Sequence, residues 1–359
     1  MRGGWLAALA LTAVVVGGGA WFAWRTEPAL DQAGPGRLAF PDFINHVADA
    51  HKVVLRQDGK TVTLLHGQRG WGIEEKHLYP VPTDKLRALF AGLADLRLSE
   101  ARTDAPAQYS RLGVEDPGKP GAGGVEVQVF AASGPPLVSL IVGHRREARG
   151  GAGGASHEEV FVRRPDEARS WLADGHLETS ADVSSWFGHD LLNISRNRIS
   201  AVEVTRPDGT LSFTVKDGKA TLEQPAEHGP LDPNRLDDVA RGLEYLTLSD
   251  VTVADHQPGK TLADTVFHTK DGLVVRAHVT GDGPATWVSL GFSGKGQTEA
   301  EAATMNEQHG GWAFHVGDWK RAALTPDLKD LLAAVKPEAA TAPPAAAPAP
   351  ASTPVKTSP

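Results

Sequence analysis

The chain has 359 residues, enough for two domains of ordinary size. Its formal net charge is -8 at pH 7, with acidic and basic residues interspersed, which excludes the broad basic surface that nucleic-acid binding uses. The absence of cysteine excludes disulfides, thiolate metal sites and cysteine nucleophiles.

An apolar run occupies residues 5–24 and has tryptophan at both ends. At about 1.5 Å per helical residue, this run is long enough to cross the hydrocarbon core of a bilayer. We therefore predict a transmembrane anchor over residues 1–25 and a stalk, punctuated by proline and glycine, over residues 26–45. A cleaved signal peptide is the alternative, although no clear small-x-small cleavage site follows the run. Both interpretations place the remaining chain across the membrane from the cytoplasm.

The first folded segment is predicted at residues 46–195 and opens with the pattern of a β-hairpin. Two β-prone runs flank Asp58-Gly59, a pair that tolerates the positive φ of tight turns. A strand follows near Trp71, and leucines at helical spacing predict an amphipathic helix that Thr83 caps. Further strands are predicted at residues 96–98, 125–129, 138–142 and 160–162, and short helices at 166–172 and 182–187.

The second folded segment, residues 196–336, is predicted to be a copy of the first. Residues 86–100 recur as 236–250, and the same offset of 150 places Asp208-Gly209 where the first copy has its turn. No gap is needed across this region. Asp232 should cap the second helix. Further strands are predicted at 202–204, 211–215, 220–222, 274–279, 287–290 and 312–316, and helices at 299–308 and 326–335.

The later part of the second copy shows a weaker correspondence. Residues 289–291 echo residues 141–143 at an offset of 148, which predicts that about two residues were lost. Each module is predicted to belong to the α+β class, with a mostly antiparallel sheet and a helix packed on one face. The remaining residues, 337–359, are rich in proline and alanine and are predicted to be disordered.

Several short motifs recur around these elements: a Trp-x-Ile strand, a Pro-x-Asp helix start and a Leu-Gly-x-x-x-Pro segment. The residues that form them are Trp71, Ile73, Pro82, Asp84, Leu86, Leu93, Leu96, Leu112, Gly113, Pro117, Leu140 and Gly143. With the anchor before them, they resemble the DUF4340 family, a domain of unknown function. The second copy departs from the pattern, because Thr221 stands where Trp71 does and residues 262–264 replace the Leu-Gly segment.

The resemblance implies a single-pass protein of the bacterial inner membrane, with its body in the periplasm. It also implies a partner class, namely an ABC-2-type permease or ATPase together with a companion envelope protein. It implies no functional residues.

No motif predicts catalysis, a cofactor or a metal. The fourteen histidines lack the spacing that places two imidazoles on one helix face, and His157-Glu158-Glu159 is interpreted as the polar edge of a strand. Residues 293–298 lack the order of a phosphate-binding loop. The adjacent carboxylates at 237–238 should point apart.

The sequence therefore predicts a non-enzymatic scaffold or accessory subunit of an ABC-type transport system. The alternative is a periplasmic glycan- or lipid-binding module that uses the cleft between the repeats, with Trp287 and Trp312 as its lining. Most of the other tryptophans are predicted to lie in the core.

Overall fold

The computed structural model describes residues 36–148 and 157–333. Two large antiparallel sheets with few helices confirm the predicted α+β class. The predicted anchor over residues 1–25 and the predicted tail over residues 337–359 lie outside the described residues. Within the described ranges, no helix is long and apolar enough to cross a membrane.

The first sheet has nine strands in the order β4-β3-β2-β1-β6-β7-β8-β9-β5. Its strands are β1 (Ala50–Gln57), β2 (Lys60–Gly67), β3 (Gly70–Ile73), β4 (Tyr79–Pro80), β5 (Arg97–Ala101), β6 (Val125–Ala131), β7 (Pro136–Ala148), β8 (His157–Arg163) and β9 (Ser170–Asp174). All of these strands pair antiparallel.

The second sheet also has nine strands, in the order β10-β14-β18-β17-β16-β15-β11-β12-β13. Its strands are β10 (Asp190–Leu192), β11 (Ile199–Arg206), β12 (Gly209–Lys216), β13 (Lys219–Gln224), β14 (Leu246–Val253), β15 (Lys260–Thr269), β16 (Val274–Asp282), β17 (Ala285–Ser293) and β18 (Trp312–Val316). Pairing is again antiparallel throughout.

Most of the described helices have four residues. The three longer ones are α2 and α4, each of which follows a hairpin, and α5, which lies late in the chain. They are α1 (Phe43–His46), α2 (Thr83–Asp95), α3 (Tyr109–Leu112), α4 (Pro233–Ala240), α5 (Glu299–His309), α6 (Arg321–Leu324) and α7 (Leu328–Leu331). Asp232 caps α4 as predicted, since its side chain accepts from the Asn234 N–H. Thr83 is the first residue of α2, after the N-cap Pro82, and makes no cap hydrogen bond from its side chain.

The two sheets share one strand order over eight strands. Read from the hairpin edge, β3-β2-β1-β6-β7-β8-β9-β5 in the first sheet matches β13-β12-β11-β15-β16-β17-β18-β14 in the second. In each module the helix α2 or α4 stands between the third strand and the strand that closes the far edge. The repeat in the sequence therefore corresponds to a repeat of topology.

The predicted stalk, residues 26–45, requires a correction from Gly36 onward. Phe40 and Phe43 are buried in the core of the first module. Leu38 bridges to Arg97 of β5, as β10 pairs with β14 in the second module. Each module therefore begins with a short segment on its last edge strand, and the two phenylalanines bury enough apolar surface to hold it there.

The hairpin turns of the two modules have the same length, but the second turn lies one residue earlier than the offset of 150 predicts. Asp58 and Gly59 form the first turn with φ of 48° and 76°, as the Asp-Gly pair predicts. In the second hairpin, the strands close between positions 206 and 209, so the turn residues are Pro207 and Asp208. Gly209 is the first residue of β12, and the second Asp-Gly pair is therefore not the equivalent of the first.

This shift changes which residues are equivalent between the modules. Ile73 and Leu222 hold the same register in the third strands, at an offset of 149. Ala220, and not Thr221, therefore lies where Trp71 lies in the first module. The offset returns to 150 at α4, so one residue was inserted between β13 and α4 and the gap-free alignment was wrong there.

Each module carries its own insertion, at a different point. The first has residues 102–124 between β5 and β6, which include α3, whereas residues 254–259 suffice in the second. The second has residues 294–311 between β17 and β18, which include α5. Residues 262–264 lie in β15 itself and do not replace the Leu-Gly segment.

The predicted loss of two residues was also wrong. Residues 141–143 lie in β7, whereas 289–291 lie in β17, which is the equivalent of β8. Val127 pairs with Leu55 of the first hairpin, and Thr265 pairs with Val204, the equivalent residue of the second hairpin. Val127 and Thr265 are therefore equivalent, and they are 138 residues apart. The offset between equivalent residues therefore falls by far more than two, because the connection before β15 is much shorter than the one before β6.

The Leu-Gly motif is explained by close packing in the first insertion. Gly113 ends α3 with φ of 67° and donates its N–H to the Tyr109 carbonyl. The turn lies directly on β7 at Gly143, where a β-carbon would collide with the carbonyl oxygen of Leu112. These motif residues therefore hold the insertion against the sheet.

Two predicted helices were wrong in type or extent. Residues 166–172 were predicted as a helix, but Trp171 and Leu172 are buried in β9, which pairs with β8 on one side and β5 on the other. Pairing on both sides overrides local helix preference. The helix predicted at 326–335 is only α7, which Asp327 caps. Thr325 lies at the end of α6, where its hydroxyl donates to the Arg321 carbonyl.

One continuous hydrophobic core runs through both modules, and Tyr79 of β4 lies where they meet. Its ring centroid is 5.0 Å from that of Trp312, 6.2 Å from that of Phe187 and 6.3 Å from that of Phe314. All three contacts are edge-to-face, the favoured aromatic geometry. An ion pair of 2.5 Å between Lys76 and Asp250 lies beside them.

Tyr79→Ala should destabilise the whole protein, because it empties the aromatic junction. We expect the free energy of unfolding in urea to fall by about 3 kcal/mol. Tyr245→Ala, at a side chain that is 69% exposed, is the control and should change it by less than about 0.5 kcal/mol. Equal transition midpoints for the two variants would show that the junction does not stabilise the fold.

Candidate functional site

A groove lies on the first module between α1, β3 and α2, and we call it the first-module groove. It encloses about 460 Å³. Its lining is mostly apolar and aromatic, and it includes one charged side chain; the main contributors are Ile44, Val47, Trp71, Leu86, Arg87 and Phe90.

The helical spacing of α2 explains why this surface is apolar. Leu89 and Leu93 are fully buried and face the sheet. Phe90 and Arg87 lie on the flank of the same helix, beside the core-facing stripe. Phe90 is half-buried and Arg87 is exposed, so the flank presents one large ring and one positive charge.

Aromatic packing fixes the floor of the groove. The Trp71 ring lies 5.7 Å from that of Phe90 in an edge-to-face contact, and it stacks on His66 at 5.3 Å. Phe43 of α1 contacts Phe90 at 6.2 Å. Because Phe43 holds α1 in the core, the neighbouring Ile44 stays 62% exposed at the groove. The groove is therefore formed by rings that already have partners.

The second module has small residues at the equivalent positions. Ala220 replaces Trp71 and Ala240 replaces Phe90, and both alanines are buried. The chain covers this surface itself, since α6 and α7 pack on α4. Leu332 also forms a bridge to Leu231, the equivalent of Val81, which lines the groove. The first-module groove is therefore the open form of a surface that the second module covers.

The structure does not bring Trp287 and Trp312 together. Trp287 pairs directly with His315, whereas Trp312 follows the alternation of Phe314, so the two tryptophans lie on opposite faces of the second sheet. The Trp287 ring lies against His315 at 5.2 Å, and the Trp312 ring packs on Tyr79. The two rings cannot line one cleft.

A second cavity, of about 550 Å³, lies between α4 and α6. Tyr245 and Trp319 line it and are 69% and 63% exposed, which is unusual for large rings. Lys320 beside them is buried, and its Nζ donates to the carbonyls of Arg241, at 2.9 Å, and Glu244. The lysine thereby caps the carbonyl end of the α4 segment.

Neither cavity is predicted by the patterns in the sequence. A signal for the first-module groove does exist, namely an aromatic residue in one repeat and an alanine in the other at Trp71 and Phe90. At Trp71 the gap-free alignment hid this signal, because it paired Trp71 with Thr221 and not with its true equivalent, Ala220. Near the groove, Glu75 has a structural contact, because it accepts from the Thr63 N–H at 3.0 Å.

The buried lysine predicts a dependence of stability on pH. Burial lowers the pKa of Lys320 from 10.5 to about 8. Between these values the unfolded chain binds more protons than the folded chain, so stability increases as pH rises. From pH 7 to pH 9 this group should add about 1 kcal/mol to the free energy of unfolding.

Urea unfolding of the wild type and of Lys320→Met at both pH values tests this expectation. The variant should lack that part of the increase. The same pH dependence in both proteins would contradict a buried, deprotonating lysine.

A family model described as "Domain of unknown function (DUF4340)" matches residues 71–264, which is more than half of the chain. The match begins in β3 and ends in β15, so it includes the chain segment that connects the modules, Tyr79 at their junction, and the α2 wall of the first-module groove. No curated protein and no solved structure matches the chain.

Proposed function

Because the chain belongs to the DUF4340 family, whose description carries no activity, we propose a function from the geometry. The protein is a non-enzymatic scaffold that holds a partner polypeptide in the first-module groove. We place it in the bacterial envelope as an accessory subunit of an ABC-type transport system. The open groove, compared with its covered equivalent in the second module, is the observation that supports this proposal.

The second module indicates what kind of segment fits such a surface. There, two short helical turns supply Leu324 and Leu331, which are both buried against the module. The partner segment is therefore a short amphipathic helix that offers leucine-type side chains to Trp71 and Phe90.

The positive charge of Arg87 determines which end of a partner helix lies beside it in the groove. Arg87 lines the groove and is exposed, with no acidic residue lining the groove beside it among the described residues. A partner helix with an aspartate or glutamate at one end of its apolar face complements this guanidinium. The chemistry of the occupant is thus an acidic, leucine-bearing helix.

The position of the groove along the chain suits a partner at the membrane. Ile44 follows the predicted anchor, residues 1–25, by 19 residues. Even a fully extended connection of that length spans at most about 65 Å. The anchor therefore restricts the groove to a shell around the bilayer, where membrane-bound transport components lie.

A photo-reactive amino acid at position 44 in the full chain, in intact envelopes, tests the proposal. We expect an adduct with a permease or a companion envelope protein. Arg87→Glu should reduce the adduct at least tenfold, because the reversed charge repels an acidic helix while the exposed site leaves the fold unchanged.

The same probe at Tyr245, a more exposed position outside the groove, is the control. An adduct only with another segment of this chain would show that the groove is covered internally. Equal adducts at both positions would show that the groove has no special role. Either result rejects the scaffold proposal in this form.

Glycan binding is the second candidate, and the exposed rings of Tyr245 and Trp319 favour it. Exposed aromatic rings stack on sugar faces, and Asp238, Arg241 and Glu244 line the same cavity with polar groups that can bind hydroxyls. This location differs from the cleft predicted between the repeats.

Titration of the full chain with chito-oligosaccharides, followed by tryptophan fluorescence, tests this candidate. Trp319→Ala should weaken binding at least tenfold, because the stacking surface is lost. Trp287→Ala, on the outer face of the second sheet, is the matched control and should leave the affinity unchanged. The same affinity in the Trp319 variant would exclude this cavity.

A further inference from the structure

Strands β8 and β9 bring three potential metal ligands together at one end of the first sheet. The Nε2 atom of His157 lies 3.6 Å from Oδ1 of Asp174 and 3.9 Å from Oε1 of Glu159. One ligand atom from each residue lies within 4.8 Å of the others. Two of these residues belong to the His-Glu-Glu segment of the sequence, and the third comes from the neighbouring strand.

The strand register makes this arrangement electrostatically costly without a cation. Glu159 and Asp174 are direct cross-strand partners, and like charges in such pairs destabilise a sheet. Glu159 is only 7% exposed, so water screens its charge poorly. The site therefore requires positive charge.

Arg146 supplies part of that charge and also orients the carboxylate. It lies opposite Glu159 on β7, with its Nε 2.5 Å from Oε2. This bond occupies Oε2 and leaves Oε1 facing His157. Contacts of this kind behind a ligating carboxylate are common in metal sites, where they fix its direction. With one arginine against two carboxylates, the group retains a negative charge when His157 is neutral.

We infer that His157, Glu159 and Asp174 bind one Zn²⁺ ion, which ties β8 to β9. A nitrogen ligand with two carboxylate oxygens suits zinc better than Mg²⁺ or Ca²⁺, which prefer oxygen alone. Ligands at about 2.1 Å from a metal lie about 3.0–3.4 Å from one another in regular geometries. The two distances from His157 exceed this range by a few tenths of an ångström, and the separation of the two carboxylate oxygens, at most 4.8 Å, exceeds it by no more than about 1.5 Å. His157 and Asp174 are exposed, so rotation of their side chains can close these gaps.

A neighbouring cluster of one histidine and two carboxylates, formed by His176, Glu158 and Glu178, has the same residue types but a geometry that does not suit one metal ion. The Nδ1–H of His176 donates to Glu158 at 2.5 Å, and the Nε2 of the same ring lies 3.5 Å from Glu178. The two nitrogens of one ring point apart, so both carboxylates cannot join one of them at a single ion. His176 therefore provides a matched control.

Calorimetric titration of the metal-free full chain in detergent with Zn²⁺ tests the site. We expect one ion per chain, with a rise in melting temperature at saturation. His157→Gln and Asp174→Asn should each weaken binding at least tenfold. His157→Gln lies at an exposed position and should keep the melting temperature of the metal-free wild type. Asp174→Asn should keep or raise that temperature, because it removes a like charge from beside Glu159.

His176→Gln should leave the zinc affinity unchanged. Three results would overturn the site: no binding at micromolar Zn²⁺, unchanged affinity in the His157 and Asp174 variants, or an equal loss in the His176 variant. The titration does not involve the first-module groove, so its failure leaves the scaffold proposal intact.

Discussion

A sheet with one apolar face must have that face covered, and the two modules meet this requirement with different segments. In the second module, α4 is itself covered by α6 and α7, so alanine suffices where the first module has Trp71 and Phe90. In the first module, α1 covers only part of α2, and the aromatic rings remain at the surface. The shared topology therefore produces one closed and one open surface, and the difference between the repeats carries more functional information than their likeness.

Sequence reasoning identified the repeat because α2 and α4 keep their leucine spacing, and it placed most strands because their apolar residues alternate. It failed where equivalence depends on pairing. The second Asp-Gly pair matched the first in sequence, although Pro207 and Asp208 form the turn, and this hid the one-residue insertion before α4. Strand β9 was predicted as a helix although β8 precedes it closely in the chain, because its other partner, β5, is distant and the pairing on both sides could not be seen in the local sequence.

The candidate sites were harder to predict for the same reason. Whether Trp287 and Trp312 share a face depends on the register of β17 with β18, which the spacing of the two residues does not determine. His157 and Glu159 were visible as a polar cluster. Asp174 could not be joined to them while the preceding residues were assigned to a helix, so only the fold completes the set of three ligands.

Strand β4 has a consequence for how the protein behaves among many copies of itself. It forms one border of the first sheet, has only two residues, and one of them is Pro80, which has no N–H to donate. Short borders that contain proline are poor templates for strand addition by another chain. Strand addition between neighbouring copies is therefore disfavoured at this edge of the first sheet.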